Sequence, residues 1–195
     1  MRIANYLQPG CVALRQRADS LEGAVQQLVA LLDGTEYLTD TAVFAADVRA
    51  RLALGGICVG NGLAIPHAKS TAVQKLQLAA LTLDPPLPCD TPDGQPLQML
   101  VMIAAPAEAN DLHVQVLAEL ATLFLDADFC TRLRSSKTPE AFCRAIAERA
   151  SVRAERYLFG KMKVGVAMVT LQGRLLGMDE TAREIGEKYH WHISK

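Results

Sequence analysis

The segment from 97 to 104, LQMLVMIA, is apolar at almost every position and is followed two residues later by Pro106. A strand with one face in water alternates apolar and polar residues, whereas a strand covered on both faces is apolar throughout. A second apolar segment, 76–83, ends at Asp84-Pro85-Pro86. Together the two segments predict central strands of a sheet with helices packed on both faces.

Helical spacing of apolar residues recurs before and after these strands. The pattern predicts five helices, at 21–32, from Thr39 or Asp40 to about Leu52, at 112–125, at 127–134 and at 139–150. Ser20 is expected to cap the first helix, and Asn110 or Asp111 the third. A short buried strand is predicted at 63–65. This order of elements predicts an α/β (α+β) fold in which helices sandwich a mixed central sheet.

The charge balance excludes one class of partner. The chain has 20 basic and 21 acidic residues, whereas nucleic-acid binders usually carry a basic excess.

The chain has no apolar run of the roughly 18–20 residues that a transmembrane helix needs. Its opening, MRIANYLQPG, lacks the apolar segment of a signal peptide. We therefore expect a cytoplasmic protein that neither binds nucleic acid nor inserts directly into a membrane.

The cysteines support the same compartment. The chain has five, and no two of them form a C-x-x-C pair; they are Cys11, Cys58, Cys89, Cys130 and Cys143. An odd number of scattered cysteines in a chain of this length is typical of reduced thiols in a cytoplasmic protein. We expect most of them to behave as small buried hydrophobic residues.

A glycine-rich stretch, GNGLAIPHAK at 60–69, contains a histidine directly after a proline. Proline fixes its own φ and favours an extended conformation for the residue before it, so Pro66 stiffens the chain that holds His67. A rigid imidazole near neutral pKa can act as a base, a metal ligand or a nucleophile. A lone histidine, however, is more often a structural side chain than a catalytic one.

His113 lies in the first turn of the helix predicted at 112–125. A helix N-terminus carries a partial positive charge, which keeps a nearby imidazole neutral and attracts anions. A histidine packed at the end of a helix is the structural alternative.

Other types of functional site fit the sequence less well. The glycine-rich loop has no P-loop or G-x-S-x-G motif, and His67 and His113 lack a close partner that could ligate a metal with them. His190 and His192 form a close pair, but two ligands rarely make a native zinc site.

The stretch CVGNGLAIPHAK resembles the active-site signature of the enzyme IIA component of the bacterial phosphoenolpyruvate-dependent sugar phosphotransferase system, fructose–mannitol type. Two more residues agree with that family's pattern. Arg51 lies 16 residues before His67, and His113 lies 46 residues after it at the start of a later helix. The resemblance covers about residues 1–150, and it implies the family's fold for that part of the chain.

The resemblance implies a phosphocarrier. His67 is expected to accept a phosphoryl group from the carrier protein HPr and to pass it to an enzyme IIB, with Arg51 and His113 completing the catalytic site. Gly60, Asn61, Gly62 and Lys69 are expected to bind phosphate or the partner proteins. No metal or other cofactor is required. Nitrogen-regulatory enzyme IIA is a relative, so the alternative is a regulatory module whose phosphorylation state controls a protein partner.

Two positions depart from the family's pattern. Leu52 follows Arg51 where the family often has Glu, and no hydroxyl residue lies near Gly56 or Ile57 where it commonly has Thr or Ser. One hydroxyl donor to phosphate is therefore absent. This leaves open a third possibility, a relative that is not phosphorylated.

The last 45 residues, 151–195, are expected to form an extension of unknown role. A basic segment is followed by a predicted strand at 163–170, the loop LQGRLLG and a predicted helix at 179–189. This β–α piece faintly resembles the opening of a fructose-type enzyme IIB and is a candidate remnant of one. The loop has no cysteine where an enzyme IIB carries its phosphoacceptor, so we expect no working enzyme IIB here.

Overall fold

The computed structural model describes residues 3–91, 93–162, 167–169 and 175–178, with side chains described as far as Ala150. The strands are β1 Leu7–Gln16, β2 Cys58–Gly60, β3 Leu63–Ala64, β4 His67–Ser70, β5 Gln77–Leu87, β6 Leu97–Pro106, β7 Ala167–Val169 and β8 Leu175–Met178. The helices are α1 Leu21–Leu32, α2 Thr41–Leu52, α3 Asn110–Leu123, α4 Ala127–Arg134 and α5 Pro139–Met162, and a short 3₁₀ turn at Ile3–Asn5 precedes β1.

The central sheet is mixed. Its order is β1-β5-β6-β3-β2, and β4 pairs with the same edge of β6 as β3 does. β6 runs antiparallel to β5 but parallel to both β3 and β4. β1 is parallel to β5, and β2 is antiparallel to β3.

β6 is the strand that the apolar run predicted, and it is buried from both sides. All of its residues from Met99 to Ala105 are inaccessible to solvent. Their side chains divide between two apolar clusters: Leu100, Met102 and Ala104 pack with α1 and α2, whereas Met99, Val101 and Ile103 pack with α3, α4 and α5. The predicted fold class, a mixed sheet between helices on both faces, is confirmed.

Two helices begin where their capping residues predicted. The Ser20 hydroxyl accepts a hydrogen bond from the Gly23 amide at 3.0 Å, and the Asp40 carboxylate accepts one from the Val43 amide at 3.0 Å. α3 differs from the prediction. It begins at Asn110, its N-cap is Ala109, and no side chain caps it. The first turn of α3 therefore keeps amide groups that no side chain of this helix satisfies.

Residues 151–195 form a compact unit separate from residues 1–150. The sequence predicted a helix that ends at 150, but α5 continues to Met162 through the basic segment. Leu175–Met178 was predicted as part of a loop but is a strand, antiparallel to Ala167–Val169. The helix predicted at 179–189 lies outside the described residues. No helix in the described part of the chain is long and apolar enough to cross a bilayer.

Shortening a buried side chain of β6 should show how much the burial of this strand contributes to the free energy of unfolding. We expect Leu100→Ala to lower the free energy of unfolding by about 2–5 kcal/mol, because the lost side chain leaves a cavity in the α1/α2 cluster. Leu125→Ala is the matched control, since Leu125 is 73% exposed, and it should change stability by less than about 0.5 kcal/mol. Urea unfolding followed by circular dichroism measures both. Equal losses in the two variants would contradict the assignment of β6 as the centre of the core.

Candidate active site

His67 is held by backbone pairing on both sides of Pro66. β3 ends at Ala64, and the chain resumes as β4 at His67, which lies beside Ile103 of β6. The Pro66 carbonyl accepts a hydrogen bond from the Ile103 amide at 2.9 Å. The sequence predicted a strand that stopped at 65, and the structure corrects this: His67 begins a second short strand and is not at the free end of one.

The hydrogen bonds of His67 determine which ring nitrogen carries the lone pair. Nδ1 lies 2.8 Å from the Ile65 carbonyl oxygen, which can only accept, so Nδ1 carries the proton of the neutral ring. Nε2 then has the lone pair, and it accepts a hydrogen bond from Arg51 Nε at 3.1 Å. The geometry thus presents Nε2, rather than Nδ1, to an incoming group.

Arg51 is anchored separately from its contact with His67. It lies in the last turn of α2, where its Nη1 donates a hydrogen bond to the Gly55 carbonyl at 2.8 Å. Gly55 has a φ of +71°, a conformation that favours glycine. One edge of the guanidinium therefore holds the loop after α2, while Nε points to the histidine.

His113 lies close to His67 but is more deeply buried. The two ring centroids are 5.3 Å apart with the ring planes at 89°, and His113 is 8% exposed. Its Nδ1 is shielded from solvent and has no hydrogen-bond partner. An unpaired buried polar atom lowers the free energy of unfolding by roughly 1–3 kcal/mol. A group that binds in the site and forms a hydrogen bond with this nitrogen would remove that cost.

Both imidazoles are held in their neutral forms. Burial lowers the pKa of His67, the Arg51 charge lowers it further, and only the hydrogen bond to the Ile65 carbonyl opposes these effects. Burial also lowers the pKa of His113, and the nearby His67, Lys69 and Arg51 act in the same direction. Neutral histidines beside two permanent cations make a site suited to an anion.

These groups line one pocket of about 400 Å³, together with other residues of α2 and β4: Asp47, Ala50, Arg51, Leu54, His67, Ala68, Lys69 and His113. Lys69 Nζ donates a hydrogen bond to Asn110 Oδ1 at 2.6 Å, at the start of α3. The sequence analysis missed Asn110 and Asp47 as site residues. Asp47 lies one helical turn before Arg51, so the i, i+4 spacing was the available signal. Asn110 had been considered only as a helix cap.

The structure does not bring the 60–62 turn to this pocket. The Asn61 amide donates to the Asp93 carboxylate at 2.6 Å, and Arg134 Nη1 donates to the Asn61 carbonyl at 3.1 Å. Gly62 has a φ of +66°, and a β-carbon there would lie 2.8 Å from the Pro96 carbonyl oxygen. The turn thus needs these glycines for its own conformation. Its predicted role in binding phosphate or partners stays a prediction.

The described residues do not suggest a metal site. They contain no group of three or more His, Cys, Asp or Glu side chains placed to hold an ion. His190 and His192 lie outside the described residues. What the pocket offers is a nucleophilic nitrogen, two cations and a second neutral imidazole, a combination that can accept a negatively charged group.

Residues 5–149 match the family model described as phosphoenolpyruvate-dependent sugar phosphotransferase system, EIIA 2. Among curated proteins, the chain is 30% identical over 148 residues to a nitrogen regulatory protein of Pseudomonas aeruginosa, covering 76% of this chain and 96% of the relative. It is also 30% identical over 155 residues to the 2-O-alpha-mannosyl-D-glycerate-specific EIIABC component of Escherichia coli, covering 78% of this chain but only 24% of that protein.

Solved structures agree. The nitrogen regulatory protein IIA-Ntr of Neisseria meningitidis is 25% identical with a TM-score of 0.69, over 74% of this chain and 98% of that one. The fold is also shared with the IIA component in the Escherichia coli complex of enzyme IIAMTL with phosphorylated enzyme IIBMTL, at 16% identity and a TM-score of 0.63, over 73% and 99% of the two chains. This chain belongs to the EIIA 2 family of the phosphoenolpyruvate-dependent sugar phosphotransferase system.

Proposed function

We propose that this chain is a phosphocarrier that takes a phosphoryl group on Nε2 of His67. The observation that supports this most directly is the pair of hydrogen bonds on the His67 ring, from Nδ1 to the Ile65 carbonyl and from Arg51 Nε to Nε2. The first fixes the tautomer, and the second places a cation where the phosphoryl oxygens would arrive. The family resemblance makes HPr the proposed donor.

The transfer is an in-line displacement at phosphorus. The Nε2 lone pair forms the new bond while the bond from phosphorus to the donor nitrogen breaks, and that electron pair returns to the donor imidazole. The proton on Nδ1 stays in place, and the Ile65 carbonyl stabilises the positive charge that the ring gains. Arg51 must release Nε2 before attack, and its guanidinium then pairs with the phosphoryl oxygens while Nη1 keeps its hold on Gly55.

His113 and Lys69 are proposed to complete the anion site. The unpaired Nδ1 of His113 is a group that a hydrogen bond in the phosphorylated protein would satisfy. Lys69 contributes a second positive charge, and Asn110 holds it against the start of α3. Since Lys69 is exposed whereas His113 is buried, Lys69 is the cation that a docking partner can contact.

The surface around the pocket suits protein partners. Leu54, 79% exposed, lines the pocket, and Val114, 65% exposed, follows His113 in α3. Exposed apolar residues with charged neighbours are typical of the centre and rim of a protein interface. The Escherichia coli complex named above supports an enzyme IIB as the proposed acceptor, with a fructose- or mannitol-type sugar as the final one.

A regulatory role is the second candidate, and one observation favours it. The Pseudomonas nitrogen regulatory protein is as similar in sequence to this chain as the sugar-specific EIIABC component is, at 30% identity each, and IIA-Ntr of Neisseria meningitidis shares this chain's fold with a TM-score of 0.69. In this role the phosphoryl group would stay on His67 and alter the binding of a protein partner. The two roles share the first transfer and differ at the second.

The first transfer is tested with labelled phosphoenolpyruvate, enzyme I and HPr. We expect the wild-type chain to take up one acid-labile, alkali-stable phosphoryl group and His67→Ala to take up none, because the nucleophile is gone. Circular dichroism should show that His67→Ala is folded. An unlabelled wild type, or equal labelling of both proteins, would refute the assignment; the first result is what a non-phosphorylated relative would give.

The labelled protein then separates the two roles. A carrier is expected to lose its label to a cognate enzyme IIB within the time course of the first transfer. A regulator is expected to retain the label with every enzyme IIB of the same cell and to bind its partner differently in the two states.

The specific contact of Arg51 is tested by a conservative change. Arg51→Lys keeps the positive charge but removes the Nε donor to His67 and the Nη1 donor to Gly55. We therefore expect the single-turnover rate of phosphoryl transfer to fall about 10²-fold. Arg49→Lys is the matched control on the same helix turn, outside the His67 pocket, and should change the rate by less than about 2-fold. Similar effects from the two substitutions would argue against a positioned guanidinium at Nε2.

The pH dependence follows from the lowered pKa of His67. Only the neutral ring has a lone pair at Nε2, so the rate should be constant above pH of about 7 and fall as the pH drops through that lowered pKa. Arg51→Gln removes a charge that lowers the pKa, so its midpoint should move to higher pH, whereas that of Arg49→Gln should not. NMR titration of the His67 ring measures the midpoints directly. A midpoint in Arg51→Gln at or below the wild-type value would contradict this account.

A further inference from the structure

A second and larger cavity lies beside the loop that follows α2. Its volume is about 760 Å³, and it opens between α2, the start of β2 and the segment after β5. Its lining does not include His67 or His113. The charged and thiol side chains that line it include those of Arg49, Asp90, Cys58 and Cys89.

Cys58 and Cys89 are brought together by the fold although 31 positions separate them in sequence (89 − 58). Cys58 begins β2, and Cys89 follows the end of β5. Both side chains are half-buried, line the same cavity and pack against the α1/α2 cluster. The two thiols are close enough to interact electrostatically, and the Cys89 thiol donates a hydrogen bond to the Asp90 carbonyl at 4.0 Å. The sequence predicted mostly buried thiols, and these two are only half-buried.

We propose that Cys58 and Cys89 are a modification site, where hydrogen peroxide forms a reversible disulfide in the wall of this cavity. Each thiol loses one hydrogen and the sulfur–sulfur bond forms. The two electrons break the oxygen–oxygen bond of the peroxide, and the two protons leave with its oxygens as two waters. The inference does not depend on the proposed phosphocarrier function.

The environment of Cys58 sets the conditions for the reaction. Burial, the neighbouring Cys89 and the charges of Asp90 and Asp93 raise the pKa of the Cys58 thiol to about 11. The thiolate is the reactive form, so oxidation of this pair should be slow near pH 7 and faster as the pH rises.

The disulfide has a structural consequence next to the candidate active site. Gly55, whose carbonyl holds Arg51 Nη1, is three residues before Cys58. A covalent bond from Cys58 to Cys89 would tether this segment to the end of β5 and remove conformational freedom from the unfolded chain. We therefore expect the oxidised protein to melt several degrees higher than the reduced protein.

The experiment treats the full chain with stoichiometric hydrogen peroxide at pH 8.5, blocks the remaining thiols with iodoacetamide, and digests with trypsin and Asp-N without reduction. The expected product links the peptide 52–69 (LALGGICVGNGLAIPHAK) to the peptide 84–89 (DPPLPC), lighter by two hydrogens than their sum. It should be absent in Cys58→Ser and Cys89→Ser. Dithiothreitol should restore both thiols to full labelling and reverse the rise in Tm.

The chain offers a matched control pair. Cys143 has a pKa raised to about 11, chiefly by burial, and it is close enough to Cys11 to interact electrostatically. The double variant Cys11→Ser, Cys143→Ser should form the 58–89 link at the wild-type rate. The proposal is overturned if the wild type links Cys11 to Cys143 instead, if Cys58 and Cys89 are oxidised separately, or if the product is a disulfide between two chains.

Discussion

The burial of β6 on both faces is the constraint on which the rest of the structure depends. A strand with no solvent-exposed face must be covered by helices on both sides. The apolar side chains of β6 divide between two clusters, one completed by α1 and α2 and the other by α3, α4 and α5. The same strand carries the pairing of β3, β4 and β5. Its backbone fixes the register of His67 through Ile103, so the position of this imidazole is a consequence of core packing.

This dependence explains why the site can be precise with few hydrogen bonds. His67 is placed by strand pairing, Arg51 by the end of a capped helix, and His113 by the first turn of another helix that packs on the opposite face of the sheet. Each side chain comes from an element that the core already holds. Burial then favours the neutral form of both imidazoles, so at the pocket the two basic side chains, Arg51 and Lys69, outnumber the single carboxylate of Asp47.

The sequence predicted the elements that the core dictates and missed those that it does not. β5 and β6 are long apolar segments, α1, α2 and α4 have apolar residues at helical spacing, and the resemblance implied His67, Arg51 and His113 as site residues. β1 contains Pro9 and Gly10, which argue against a strand, yet an edge strand with a register shift between Leu7 and Val12 accommodates them. β4 is four residues long and owes its existence to pairing with β6. Asp47 has only its i, i+4 spacing from Arg51 as a sequence signal, and only the folded chain shows that Asn110 binds Lys69.

In the proposed phosphorylated state of His67, a carrier and a regulator place opposite demands on the phosphohistidine. A carrier needs contacts that stabilise the transition state more than the phosphorylated state, whereas a regulator benefits from a stable phosphorylated state. Arg51 is anchored to Gly55 and sits at Nε2, so its charge acts on the phosphoryl group before, during and after transfer and does not distinguish the roles. Lys69 is exposed and held by a single hydrogen bond to Asn110, so a partner can draw its charge toward or away from the group. The difference between the two proposed roles should therefore lie in Lys69 and in the exposed rim formed by Leu54 and Val114, where a partner would dock. It should not lie in the contact between Arg51 and His67, which both roles use.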